Sequence, residues 1–427
     1  MHRCDFGAVR RITGWAARPQ AVPVLFAGFA ALLLMRNPDA LLHAEFWAED
    51  GWIWYPDAYA SGLRAFVVPV AGYLQTLPRL VAWLVQPFPL AWAPTLFALA
   101  ALLVQALPPL FLVSSRMADA WPDARGRLLF ALLWLALPNT SEVYVNLTNG
   151  QWHLATLAFL VLLSRPSRRR AVRGLDGAVL LLSGVSGPFC VVLAPVAAWL
   201  ACTRRDRTSL WRAAAVFAAA AVQGACVLAT IGDRSPAVLG AGPRMLARIV
   251  SQQVVLGAIL GQGNMPVLTA MDAWATDLLP LLAAAAAMLL AGAAVLRGSQ
   301  ALRLAVLSAT LLLAAALSHP QITADGPQWP PMQLPGIGQR YYYIPMLAWL
   351  AVLFSLAGSA VRWRRMAGTM LLGCMAVGLW SDWRIPPRAP TGFAAQARAF
   401  EAAPPGTRMG FRFHPLFDKF PMYLTRR

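Results

Sequence analysis

Long apolar runs alternate with short arginine clusters from one end of this chain to the other, and that alternation narrows its possible folds more than any other feature. Apolar runs occupy residues 21–35, 93–113, 128–137, 152–163, 178–189, 191–201, 213–231, 278–296, 304–317, 341–356 and 366–380. A helix needs about twenty residues to cross the hydrocarbon core, so several of these runs are on the short side, but together they predict an all-α polytopic membrane protein with about eleven transmembrane helices. With 59% hydrophobic residues and only 13% charged ones in 427, the chain lies well outside the composition of a soluble domain. Residues 1–380 are expected to form the membrane domain and 381–427 a small extracytoplasmic tail, too short for a core of its own and expected to pack on the outer loops.

The net charge of +18 reflects orientation rather than nucleic-acid binding, because the arginines fall in short turns between apolar runs. Arg3, Arg10, Arg11 and Arg18, then Arg116, Arg125 and Arg127, the run 165–173, the turn 203–207, Arg297 with Arg303, and Arg362, Arg364 and Arg365 form one alternating set. The positive-inside rule places this set in the cytoplasm. The segments 44–62, 138–151, 232–277 and 319–340 and the tail then lie outside. Asp5, Asp119, Asp123, Asp176 and Asp206 fall on the cytoplasmic side, every other carboxylate falls outside, and none is expected within a span. The pieces flanking Gly187 and Pro188 read either as two spans or as one kinked helix. No small-x-small cleavage site follows the first run, which favours an uncleaved signal anchor over a signal peptide. The five cysteines, Cys4, Cys190, Cys202, Cys226 and Cys374, are scattered with no CxxC and read as small buried hydrophobes.

Directly after the first run, the stretch 44–62 reads AEFWAEDGWIWYPDAYASG. It sets Glu45, Glu49, Asp50 and Asp57 among Trp47, Trp52, Trp54, Tyr55 and Tyr59, rings that favour the membrane–water boundary. In a chain this poor in charge, Glu49 and Asp50 suit a general base acting on a hydroxyl, or oxygen ligands for a divalent cation; a merely solvated acidic loop is the alternative. Two further outer segments, 63–88 and 243–265, are apolar but broken by proline, glycine or polar residues, and predict interfacial or re-entrant helices. In the tail, 392–402 predicts a short helix, followed by the alternating run MGFRFHP at 409–415. No nucleotide-binding loop is present, and Lys419 is the single lysine, so a nucleotide-sugar donor is disfavoured.

AEDG at 48–51, AGYLQTLPRL at 71–80, NGQW at 149–152, SGPF at 186–189 and QRYYYIP at 339–345 together resemble the GT-C superfamily of integral-membrane glycosyltransferases, in a bacterial branch that uses polyprenyl-phosphate sugars. The resemblance implies transfer of a sugar from such a donor to a glycan, lipid or protein acceptor of the cell envelope, at the outer face of the bacterial cytoplasmic membrane. On that reading Asp50 or Glu49 is the base. Arg340, then Arg244, Arg248 and Arg79, hold the donor phosphate, and Glu45, Asn149, Gln151, Trp152, His153 and Tyr341 contact acceptor or sugar. His153 also has a helix-packing reading, and Arg340 that of an interfacial anchor. No cofactor is required beyond a divalent cation at Glu49 and Asp50, if one is used. Membrane lipids are partners and nucleic acid is not. The competing readings are a transporter or flippase of a lipid-linked saccharide and a polysaccharide polymerase or ligase that would lean on outer arginines.

Overall fold

The apolar runs fold as helices that extend beyond them at one or both ends, as seen in a computed structural model that describes residues 19–230, 232, 237–323, 326–416 and 422–427. Arg3, Cys4, Asp5, Arg10, Arg11, Arg18 and Lys419 lie outside the described residues. Five helices are long and apolar enough to cross a membrane: Leu90–Val113, Arg207–Ala229, Leu278–Arg297, Gln300–Ser318 and Gln339–Ala357. A sixth is reached if Pro243–Leu260 and Gln262–Thr269, bent by 111° at their junction, count as one span. The expected number of about eleven is therefore not met by length and composition. Val22–Arg36, Gly150–Leu163 and Phe189–Arg204 are apolar but shorter, Ala124–Leu135 has 12 residues, and Arg362–Asp382 carries three arginines in its first turn. The architecture is all-α, that of a multi-pass membrane protein, with one small hairpin in the tail.

Gly150–Leu163 is apolar all round and buried on nearly every side, as a helix at the centre of a bundle must be. It packs on Ala93–Val113, Arg170–Gly184 and Phe189–Arg204, while Gln339–Ala357 packs on Gln300–Ser318 and Arg362–Asp382. In the last pair Gly368 permits close approach, since a Cβ there would stand 2.4 Å from the Ala357 nitrogen.

Three arginines of the basic turns, Arg116, Arg165 and Arg204, meet with Arg212 at one end of the bundle. Arg116 grips Asp176 through two bonds of 2.7 and 2.6 Å, Arg212 reaches the same carboxylate at 2.7 Å, Arg165 pairs with Asp119, and Arg204 caps the carbonyls of Leu162 and Leu163. Asp176 corrects the expectation that no carboxylate lies within a helix of the bundle: Arg170–Gly184 begins well ahead of its apolar run, and two guanidinium groups neutralise the buried acid. Arg170–Gly184 and Phe189–Arg204 are two separate helices rather than one kinked one. They are joined by a turn in which Gly187 has φ +126, and Asp176 and Arg204 share the basic end. The buried amide of Gln223 answers this turn, donating to the carbonyls of Gly184 (3.0 Å) and Gly187 (3.1 Å) while accepting from the Leu74 amide (2.8 Å).

At the opposite end, Arg36 closes the first helix. Its buried guanidinium donates to the carbonyls of Leu135 (2.8 Å), Leu137 (3.2 Å), Asp382 (3.3 Å) and Trp383 (3.3 Å), tying three helix ends together. The segment 63–88 is broken as expected, into Gly62–Val67 and Thr76–Leu84. The segment 243–265 runs through Pro243–Ile249, a wide turn at Val250–Leu256 and Gly257–Leu260. In the tail, Phe393–Ala402 is followed by β1 (Arg408–Phe411) and β2 (Met422–Thr425), paired antiparallel with Arg408 opposite Thr425. Phe393, Phe400, Phe411 and Met422 share a core with Phe46, Tyr55 and Phe97, so the tail packs on the segment that follows the first helix.

Candidate functional site

Residues 138–149 leave helical geometry yet are largely buried, an arrangement tolerated at membrane depth only when every backbone group finds a partner in protein. Side chains from neighbouring helices supply those partners. The Gln105 amide accepts from the Val145 N–H (2.8 Å) and donates to the Asn146 carbonyl (3.0 Å). Gln339 accepts from the Glu142 N–H (2.8 Å), and Asp382 accepts from the amides of Asn139 (2.8 Å), Gln262 (2.5 Å) and Gly263 (3.0 Å). The loop is nevertheless strained, for Val145 sits at φ +57, a region that β-branched residues rarely occupy. Ala48, immediately before the acidic pair, sits at φ +49.

The two acids of that pair dock on this loop. Asp50, only 2% exposed, accepts the Leu147 N–H through Oδ2 at 3.1 Å. Burial, reinforced by the charge of Glu49 and opposed by the Leu147 amide, pushes the Asp50 carboxyl well above the usual carboxylate range. Glu49 is half-buried and accepts from the Thr148 hydroxyl at 3.1 Å, and that hydroxyl in turn accepts from the Trp54 indole at 3.2 Å. The other acids are engaged elsewhere. Asp57 pairs with Arg79 at 2.9 Å, and Glu45 accepts the tail amide of Thr391 at 2.8 Å.

At the far end of the same loop stands a group that the reading of motifs overlooked. Glu142 forms an ion pair with Arg340, and its second oxygen accepts the Arg340 backbone N–H at 3.2 Å. The only signal in the sequence was an isolated acid between two apolar runs. The Arg340 guanidinium lies 4.8 Å from the centre of the Tyr341 ring, and its field includes Glu142 and, more weakly, Glu49. Tyr341 meets Trp152 edge-on at 6.0 Å, and Trp152 meets Phe189 at 4.7 Å. The Trp152 indole nitrogen and Gln151 Oε1 are buried without hydrogen-bond partners.

Other expected site residues are engaged with the protein itself. Asn149 braces the loop through the Glu142 carbonyl (2.9 Å) and Asn146 (3.0 Å). His153 is fully buried, with Nε2 donating to the Val143 carbonyl (3.1 Å) and Nδ1 accepting from the Tyr343 hydroxyl (3.0 Å), which is the packing role. Arg79 is buried against Asp57, the Val68 carbonyl and the Trp54 ring, so it has no freedom to bind a phosphate. Arg248 is held by Asp277 and the carbonyls of Trp274 and Ala275, and Arg244 is exposed on the same short helix. Among the described residues no group of three or more His, Cys, Asp or Glu side chains could hold a metal. Glu49 and Asp50 reach for different partners, Thr148 and Leu147.

Below this cluster an apolar cavity of about 1070 Å³ runs between the helices, with Phe189 and Ile344 near the Trp152–Tyr341 pair and Arg125 and Arg297 at its basic end. Against protein-family models and curated proteins the chain matches none.

Proposed function

We propose that the chain is an eleven-span glycosyltransferase of GT-C type, acting at the outer face of the bacterial cytoplasmic membrane on a polyprenyl-phosphate sugar and a cell-envelope acceptor. One observation carries this reading: a single buried loop holds a carboxylate pair at one end and an arginine–glutamate pair at the other, above an apolar cavity. Sugar transfer from a lipid phosphate needs these groups. The acceptor oxygen attacks the anomeric carbon as the bond to the phosphate oxygen breaks, and its proton passes to a carboxylate. The prenyl phosphate leaves with the electron pair and needs a cation as its charge develops. Glu49 is the more open of the two acids and suits the proton transfer. Asp50 fixes the loop behind it, and Arg340 faces the leaving group with Glu142 holding its guanidinium.

The test is transfer of label from a panel of polyprenyl-phosphate sugars to envelope material by membranes carrying the wild type, Glu49→Gln, Asp50→Asn or Arg340→Gln at matched expression. Loss of transfer in the folded acidic variants supports the reading; full activity in both refutes it. The continuity of the cavity to Arg125 and Arg297 favours a second reading, passage of a lipid-linked saccharide across the bilayer. That activity would move the intact lipid in sealed vesicles with no bond broken.

A further inference from the structure

Asp50 keeps one oxygen unanswered. Its Oδ2 is taken by Leu147, but its buried Oδ1 has no hydrogen-bond partner in the protein, and native structures rarely leave a buried carboxylate oxygen so. Asp50 also lines a polar cavity of about 40 Å³ between the acidic loop, the inserted loop and the tail, and roughly 10–15 Å³ is enough for one water molecule. A second orphaned carboxylate oxygen, Glu45 Oε2, belongs to the same cavity wall. His414 Nε2 stands 3.7 Å from it, bonded to the Ala389 carbonyl at 2.7 Å. At the rim, Asp39 Oδ1 accepts from Nδ1 of the His43 ring at 2.8 Å, and that histidine is 70% exposed. Arg388 of the tail closes the remaining side, stacked on Trp47 at 3.8 Å with its charge facing Asp39 and Glu45. Glu49 adjoins Asp50 from outside the cavity.

We propose that this cavity is the hydrated path by which Asp50 exchanges its proton with the outer solution, with Glu45 as the intermediate carboxylate and the Asp39–His43 pair as the mouth. The functional use of the path rests on the acidic loop being the reaction site. Protonated Asp50 gives its proton from Oδ1 to a cavity water. That water passes one of its own protons to Glu45 Oε2, and Glu45 releases it to His43 or to water at the mouth. Only O–H and N–H bonds change. The raised affinity of Asp50 for its proton agrees with this role. The tail, which supplies Arg388 and His414, is then a wall of the proton path as well as a cover.

The experiment is infrared difference spectroscopy on the purified full chain in lipid nanodiscs, following the protonated-carboxyl band that Asp50→Asn abolishes as it shifts on transfer to D2O. Ala40→Leu, which fills the cavity from the rim, and Glu45→Gln, which keeps an acceptor for Thr391, should each slow exchange by about tenfold or more. Asp119→Asn, at the opposite end, should not change it. Exchange at the wild-type rate in both cavity variants overturns the proposal, as does the lack of any such band across the pH range. If Glu45→Gln misfolds, Ala40→Leu alone decides. Sugar transfer measured on the same membranes separates the two ideas: full transfer by both Glu49→Gln and Asp50→Asn defeats the catalytic reading, whereas cavity-dependent exchange stands or falls independently.

Discussion

Replacing Glu142 by Gln should destabilise the protein, and replacing Arg340 by Gln as well should recover most of that loss without restoring function. Their side chains are 15% and 29% exposed, closer to a buried pair than to a surface one. Breaking a fully buried pair costs about 3–5 kcal/mol and an exposed pair about 0.2–1 kcal/mol. At this depth the single Glu142→Gln change should cost about 2–3 kcal/mol, because it leaves the Arg340 guanidinium without its carboxylate. The double variant buries no unpaired charge and should lie within about 1 kcal/mol of wild type; with Arg340→Gln alone costing about as much as Glu142→Gln, a coupling of about 3 kcal/mol should appear in the cycle. Thermal unfolding in nanodiscs, followed by tryptophan fluorescence, measures the stabilities, and sugar transfer is assayed on the same preparations. A double variant no more stable than the worse single would refute the pairing as an energetic unit. Wild-type transfer by Arg340→Gln would refute its role at the leaving group.

Other expectations follow from the same geometry. Asp382→Ala strands the amides of Asn139, Gln262 and Gly263; since Asn139 is buried and Gly263 exposed, the loss should be about 2–4 kcal/mol, read as a lower unfolding midpoint. Asp50 binds its proton more tightly in the folded protein than in the unfolded chain. Its contribution is therefore full below the unfolded pKa of about 4 and lost as pH rises through the raised folded value. Across that window the stability of the wild type relative to Asp50→Asn should fall with rising pH, and parallel unfolding curves would contradict the assignment. Gly187→Ala places a Cβ 2.4 Å from Gln151 Oε1 at φ +126 and should cost about 2 kcal/mol or more in the same melt.

The helices were legible because hydropathy acts locally, and each apolar run carries its own signal. Their ends were less so. Arg170–Gly184 starts in a basic stretch that looks like a loop until Asp176 meets Arg116 and Arg212. Breaks marked by proline and glycine, such as 63–88, were read correctly for the same local reason. Glu142, Asp382 and Arg36 escaped notice because their partners lie far along the chain: 198 residues separate Glu142 from Arg340, and 120 separate Asp382 from Gln262. Glu49 and Asp50 stood out by their adjacency, but not their partners, since the π-helical turn beginning at Asp50 sends the two side chains to Thr148 and Leu147. β2 carries too short an alternation to announce a strand.

Uncharged amides hold much of the irregular backbone, in the buried loop and in the turns beside it. Gln105, Gln223, Gln253 and Gln339 are each at most 1% exposed, and they replace water for the irregular backbone around them. A carboxylate or ammonium in those places would feel the voltage across the membrane, at about 2.3 kcal/mol per charge for each 100 mV. A neutral amide feels almost none. The amide part of the scaffold is thus electrically silent, and only its charged members, Arg36, Asp382 and the Glu142–Arg340 pair, would couple this geometry to a membrane potential.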